Sequence, residues 1–226
     1  YTTVPEDAVI LLQRDVAPER AALIGCAVTT GVGAAINTAK VRAGERVAII
    51  GAGGVGLNVI QGAVLAGAEK IIAVDTLAHK LDFARQFGAT HRVDASKGDA
   101  VERVKELTDG EGVHYAFEAI GNPDAIAQAF YMLRPGGTAV VIGIPHPDAM
   151  LSVPAALFPY GERGIVGSFY GSSQMRVDML KLLDLYSAGK LMLDEQITRR
   201  YSLDQVNEAF EDMKEGMNIR GMIVFD

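Results

Sequence analysis

Gly51, Gly53 and Gly56 stand at G-x-G-x-x-G spacing within "VAIIGAGGVGLNVIQGAVLAGAEKIIAVD", and Asp75 closes that stretch. Each glycine has a task in holding a dinucleotide. The first permits a tight turn, the second lets a pyrophosphate approach the backbone, and the third lets helix and strand pack closely. A helix beginning at Gly54 turns its unpaired N–H groups and the positive end of its dipole toward those phosphates. Asp75 stands 24 positions after Gly51, near the ~20 at which an acid accepts hydrogen bonds from the adenosine ribose hydroxyls. Its charge repels a 2′-phosphate, so the pattern selects NAD over NADP. No Gly-Lys-Ser/Thr follows the loop, which excludes a nucleoside triphosphate P-loop.

Other reactive side chains are sparse. Cys26 is the single cysteine, which excludes an internal disulfide; without a signal-peptide pattern, it fits a reducing cytoplasm. A lone cysteine is ordinarily a small buried hydrophobe. The four histidines, His79, His91, His114 and His146, have no second His or Cys at ligand spacing, and each reads as a solvated loop or strand-end residue. His146 falls in the loop after the fifth expected strand, near the nicotinamide end, and that position alone assigns it no role.

The elements that must position these residues alternate. Apolar runs of strand length at 46–50, 70–75, 90–93, 113–118, 138–143 and 165–169 are separated by helical stretches at 54–66, 79–87 and 99–108. A fourth helix is capped by Asn122, starts with Pro123 and is expected to end at Pro135-Gly136-Gly137. Such alternation predicts an α/β, doubly wound, six-stranded parallel sheet, a Rossmann domain over residues 28–169. Two further helical stretches, "SSQMRVDMLKLLDLYSAGK" and "SLDQVNEAFEDMKEG" with Ser202 as cap, and a terminal strand "GMIVFD" do not extend the series. Together with residues 1–27, they are expected to belong to a second unit, giving segments 1–27, 28–169 and 170–226.

Composition narrows the partners. The 226 residues are 49% apolar and carry a net charge of −7, and "ITRR" is only a paired charge. An acidic surface without a basic patch repels nucleic acid and anionic membranes. No apolar run of the sequence approaches the ~20 residues that span a bilayer, so neither nucleic acid nor membrane is expected as a partner. Tyr1 stands where an initiator methionine would, and the chain reads as a piece of something longer.

The stretch from Leu23 to Asp75, "LIGCAVTTGVGAAINTAKVRAGERVAIIGAGGVGLNVIQGAVLAGAEKIIAVD", closely resembles zinc-dependent alcohol dehydrogenases of the medium-chain dehydrogenase/reductase family. The likeness continues through "FEAIGNP", "LRPGGTAVVIGIP", "GSFYGS" and "IRGMIVF". The resemblance implies hydride transfer between an alcohol or aldehyde and NAD, with zinc polarising the substrate oxygen. It implies that residues 1–27 and 170–226 are remnants of a catalytic domain whose larger part precedes Tyr1.

Cys26 matches the family's third ligand to the catalytic zinc. The other ligands and the proton-passing hydroxyl would precede Tyr1, so tight zinc binding by this chain alone is not expected. Thr30 resembles the threonine beside the nicotinamide, and Val55 the residue under the pyrophosphate turn. Lys80 resembles a lysine near the adenosine ribose. Ile120 and Gly121 follow the fourth strand, and Ile142, Gly143 and Ile144 the fifth, where backbone groups meet the cofactor. Arg220 resembles an arginine reaching the pyrophosphate. Family members commonly form homodimers through the last strand of the nucleotide domain, and "MLSVPAALF" is the expected edge.

Three readings stay open at this level: the NAD-binding portion of an alcohol dehydrogenase, an NAD-binding module without catalysis, and other members of the family. Among those members are a dehydrogenase of thiol adducts of formaldehyde and a zinc-free quinone reductase. Cys26 in its matching context argues against the last.

Overall fold

The computed structural model describes residues 3–12 and 16–225. Strands β1 (Arg46–Ile50), β2 (Lys70–Asp75), β3 (His91–Asp94), β4 (Val113–Glu118), β5 (Leu133–Val141) and β6 (Gly164–Gly167) form one parallel sheet in the order β3-β2-β1-β4-β5-β6. The order reverses between β1 and β4, which opens a crevice at the carboxyl ends of those strands. This is the expected doubly wound Rossmann architecture.

Side chains alternate across the sheet with period two, and both faces are covered, so the central strands are apolar almost throughout. Val47, Ile49, Ile71 and Phe117 face one core with Leu57 and Ile60. Ala48, Ile50, Val74 and Ala116 face the other with Val104 and Phe130. Leu57 and Ile60 lie on α3 (Gly54–Leu65), beside which α4 (Ala78–Gln86) packs. The second face is covered by α5 (Ala100–Glu106) and α6 (Pro123–Tyr131). Asn122 caps α6 as expected, its side chain accepting from the backbone N–H groups of Asp124 and Ala125.

Several boundaries differ from the sequence expectation. Helix α6 ends at Tyr131, not at Pro135-Gly136-Gly137. Met132 and Leu133 are drawn into the core, Leu133 pairs with Val113, and the Pro-Gly-Gly run forms an irregularity inside β5 before Thr138 pairs with Tyr115. Core burial of two apolar side chains therefore outweighs the stop signal that follows them. Strand β5 ends at Val141 and β6 spans Gly164–Gly167. The "MLSVPAALF" segment holds no strand. Its Val153 and Leu157 pack on the second core as the chain enters α7 (Leu157–Gly161), which leaves β6 as the sheet edge.

Upstream, α1 (Pro18–Leu23) and α2 (Thr29–Gly33) belong to one continuous helix, Pro18–Thr38, in which wider π turns occupy Ile24–Val28 and Ala34–Thr38. At 21 residues and a mean hydropathy of 1.4 it is long and apolar enough to cross a membrane, which corrects the expectation that no run approaches that length. Here its apolar face is core. Leu23, Ile24, Val28 and Val32 pack with Leu182 and Leu183 of α8 (Met175–Ser187), while Gly31 lets the helix meet α3. A β-carbon on Gly31 would lie 2.5 Å from the Val55 carbonyl oxygen.

The C-terminal segment adds β7 (Ile197–Tyr201), α9 (Val206–Glu215) and β8 (Arg220–Ile223), with β7 and β8 paired in parallel. Strand β7 escapes sequence reading because Thr198, Arg199 and Arg200 are exposed. Those arginines bond to Asp212 and Glu208, and to Glu19. Ser202 and Gln205 form a capping box at the turn leading into α9.

Candidate dinucleotide site

The site is built on the turn between β1 and α3. Gly51 has a φ of +94°, open to glycine at little cost, and its N–H donates to the Val74 carbonyl at 2.9 Å. A β-carbon on Gly56 would lie 1.8 Å from the Gly51 carbonyl oxygen, whereas one on Gly53 would meet nothing within 4 Å. The third glycine thus closes the turn and the second leaves room above it. Helix α3 starts at Gly54 with no side-chain cap, so nothing from Gly53 competes for its first N–H groups.

Asp75 ties the turn to β2. Its Oδ2 accepts from the Ala52 N–H at 2.8 Å and its Oδ1 from the Leu77 N–H at 3.0 Å. Each oxygen keeps lone-pair capacity for a further donor.

Arg220 reaches across from β8. A β-carbon on Gly54 would lie 2.2 Å from its Nε, so the guanidinium lies on the turn. Burial pushes Arg220 below arginine's ordinary pKa, opposed by the nearby Cys26. Its Nε is buried and meets no acceptor among the described residues. A partly buried cation with a buried, unmet Nε donor, set beside the free end of a helix, fits a bound pyrophosphate.

Two pockets flank the turn. One, of about 380 Å³, is lined by Cys26, Thr30, Val55, Ile142, Gly143 and Ile144, with Ala119, Ser168, Phe169 and Tyr170. The other, of about 260 Å³, is lined by Asp75 and Ile120 with Ile50, Val74, Asn122 and residues of α6. Cys26 sits in the π turn, which leaves Gly25 and Cys26 exposed between buried Ile24 and Ala27. Gly121, at φ +87°, lies between the pockets, where a β-carbon would be 2.6 Å from the Ile144 carbonyl oxygen. Lys80 lines neither pocket. Its Nζ would lie 3.3 Å from a β-carbon on Gly216, beside the C-terminal segment.

Glu118, the acid that ends the apolar strand in "FEAIGNP", is not among the residues expected from sequence, although its place at the strand end is a visible signal. It is fully buried. Its Oε1 accepts from the backbone N–H groups of Ile120, Gly121 and Asn122 at 2.8, 2.7 and 3.3 Å. Its main-chain carbonyl accepts from Ile142 and Gly143. One residue therefore fixes both loops that border the larger pocket. Ser168, Phe169 and Tyr170 were also missed as lining residues, because only the tertiary fold returns them to the crevice.

Among the described residues no group of three His, Cys, Asp or Glu side chains is placed to hold a metal ion. Cys26 alone does not make a zinc site. His79 bonds to the Gly216 carbonyl and His91 to the Thr90 hydroxyl, while His146 is exposed beside Asp148. His114 departs from simple solvation: it lies within β4, and its Nδ1 accepts from the Arg46 N–H at 3.1 Å. Burial, helped by the charge of Arg134, lowers its pKa and favours the neutral ring that this contact requires.

Residues 54–187 match the model of a family described as zinc-binding dehydrogenase. The chain belongs to that family. It is 39% identical to an alcohol dehydrogenase class-3 of Cereibacter sphaeroides, over 100% of this chain and 62% of the relative. With alcohol dehydrogenase B of Mycobacterium tuberculosis the identity is 38%, over 99% of this chain and 60% of the relative. The crystal structure of benzyl alcohol dehydrogenase from Acinetobacter calcoaceticus superposes with a TM-score of 0.90 at 32% identity, covering 95% of this chain and 59% of that one. This zinc-binding dehydrogenase chain thus spans about three-fifths of the length of the relatives it matches.

Proposed function

We propose that these residues form the NAD-binding part of an alcohol dehydrogenase, in which hydride passes between an alcohol or aldehyde carbon and C4 of the nicotinamide. One observation carries the reading: Cys26, Thr30, Val55 and Ile142 to Ile144, distant in sequence, line one pocket beside the glycine turn and Arg220. In this reading Asp75 receives the adenosine ribose, and the α3 N-terminus with Arg220 receives the pyrophosphate. The nicotinamide then lies in the larger pocket, where Val55, Ile142 and Ile144 exclude water from one side of the ring. NAD, when bound, supplies the hydride acceptor; this chain supplies position and a fixed electrostatic environment.

Cys26 is the one metal ligand assigned to the chain, at the rim of that same pocket. In this reading the 226 residues by themselves bind the cofactor and, with Cys26 the one ligand assigned, do not turn over alcohol. Residues 28–169 act as the nucleotide domain and 170–226 return to a catalytic unit, with β6 the edge for a homodimer. Light scattering that shows only monomer at micromolar concentration would remove the dimer.

Calorimetric titration tests the cofactor reading. NAD is expected to bind at least tenfold more tightly than NADP, a preference of about 1.4 kcal/mol or more, and Asp75→Gly is expected to erase most of it. Absence of NAD binding by the folded chain sinks the proposal. Alcohol-dependent NADH formation by the purified chain sinks its non-catalytic half.

A further inference from the structure

Three buried amides join the cofactor helix to the C-terminal segment. Asn58 and Gln196 are fully buried and Gln61 nearly so. Asn58 Nδ2 donates to the Gly54 carbonyl at 2.7 Å and to Gln196 Oε1 at 2.8 Å. In return, Asn58 Oδ1 accepts from Gln196 Nε2 at 3.1 Å and from Gln61 Nε2 at 3.0 Å. Both glutamines then hold the Met192 backbone. Gln196 Nε2 and Gln61 Nε2 donate to its carbonyl at 2.7 and 3.2 Å, and Gln61 Oε1 accepts from its N–H at 2.7 Å. Every amide oxygen and nitrogen in the cluster is used. A fully satisfied buried network of this kind fixes one geometry, because any slip strands polar groups away from water.

The geometry it fixes is that of Arg220. Gln196 immediately precedes β7, whose Ile197 pairs with Arg220 of β8. Gly54, whose carbonyl Asn58 holds, is the residue on which the Arg220 guanidinium lies. The two ends of the network are therefore the turn and the strand pair that carries the arginine. We infer that Asn58, Gln61 and Gln196 are positioning residues for the pyrophosphate: they set the register of the β7–β8 pair on α3 and thereby hold Arg220 over the turn. None of the three lines either pocket flanking the turn. The inference rests on the NAD reading above.

The test is a double-mutant cycle on the 226-residue chain, titrated with NAD and separately with adenosine, which reaches Asp75 and lacks phosphates. Gln196→Met keeps the volume and removes the amide. It is expected to weaken NAD about tenfold and leave adenosine within twofold. Arg220→Ala is expected to weaken NAD at least as much, and the Gln196→Met/Arg220→Ala double variant to bind no more than twofold worse than Arg220→Ala. If Gln196→Met does not fold, as judged by near-ultraviolet circular dichroism, Gln61→Met cuts the other arm to Met192 and carries the same expectations. Unchanged NAD affinity, a parallel loss of adenosine affinity, or fully additive losses in the cycle each overturn the positioning role. Failure of the unsubstituted chain to bind NAD instead overturns the cofactor reading, and the two failures are told apart by that first titration.

Discussion

Gly56→Ala is expected to lower the melting temperature of the chain by roughly 6–12 °C, from about 3 kcal/mol of lost stability, and to abolish NAD binding. The alanine β-carbon would stand 1.8 Å from the Gly51 carbonyl oxygen. Neither atom is the far end of a flexible side chain, so the backbone turn itself must open. Gly53→Ala is the matched control. Its β-carbon meets nothing within 4 Å, and the residue has a φ of −81°, which alanine adopts freely. That variant is expected to melt like the unsubstituted chain yet bind NAD about tenfold more weakly, about 1.4 kcal/mol, because the methyl group occupies the approach to the turn. A Gly56→Ala protein with unchanged melting would show that the turn is softer than its close contact implies. A Gly53→Ala protein with unchanged affinity would move the pyrophosphate away from the turn.

Glu118→Ala is expected to cost about 2–3 kcal/mol and to weaken NAD binding. Three backbone N–H groups lose their shared acceptor, and a stranded buried group costs roughly 1–3 kcal/mol. The sum is not threefold because Ile120 and Asn122 are exposed, so water reaches their N–H groups. Gly121 lies deeper, pressed against Ile144, and bears most of the loss. Glu118→Gln keeps a carbonyl oxygen for the three donors and is expected to stay within about 1 kcal/mol of the parent. Denaturant titration of both variants beside NAD calorimetry decides this. Equal damage from the two substitutions would assign the effect to the charge; no damage from Glu118→Ala would remove the loop-bracing role.

The two predictions differ in how readable their residues were. Gly51, Gly53 and Gly56 are legible because their task is local: spacing along six residues, strand before and helix after, defines the turn. Asp75 is legible for the same reason, as the polar end of an apolar strand. Asn122 as a cap and Ser202 as part of a capping box also act within a few residues of their own positions. Local signals failed where burial overrode them. Met132 and Leu133 joined the core and β5, although the run after them reads as a helix stop. Strand β7 carries two arginines on an exposed pair and has no apolar period to announce it. Lys80, placed by resemblance, is turned toward Gly216, because α4 packs against the C-terminal segment there.

Legible in the sequence alone are the sheet, its six strands in alternation with helices, the glycine turn between β1 and α3 and the acid that follows it. These depend on periodicity and short-range backbone geometry, which any window of the chain displays. Only the tertiary structure decided that Cys26 shares a pocket with Thr30, Val55 and Ile142, that Arg220 lies on Gly54, and that Glu118 and three buried amides brace the surrounding loops. Those contacts join residues as far apart in the chain as Gly54 and Arg220. Their formation is governed by how helices and sheets fill a common core, a property of the packed whole that no local stretch encodes.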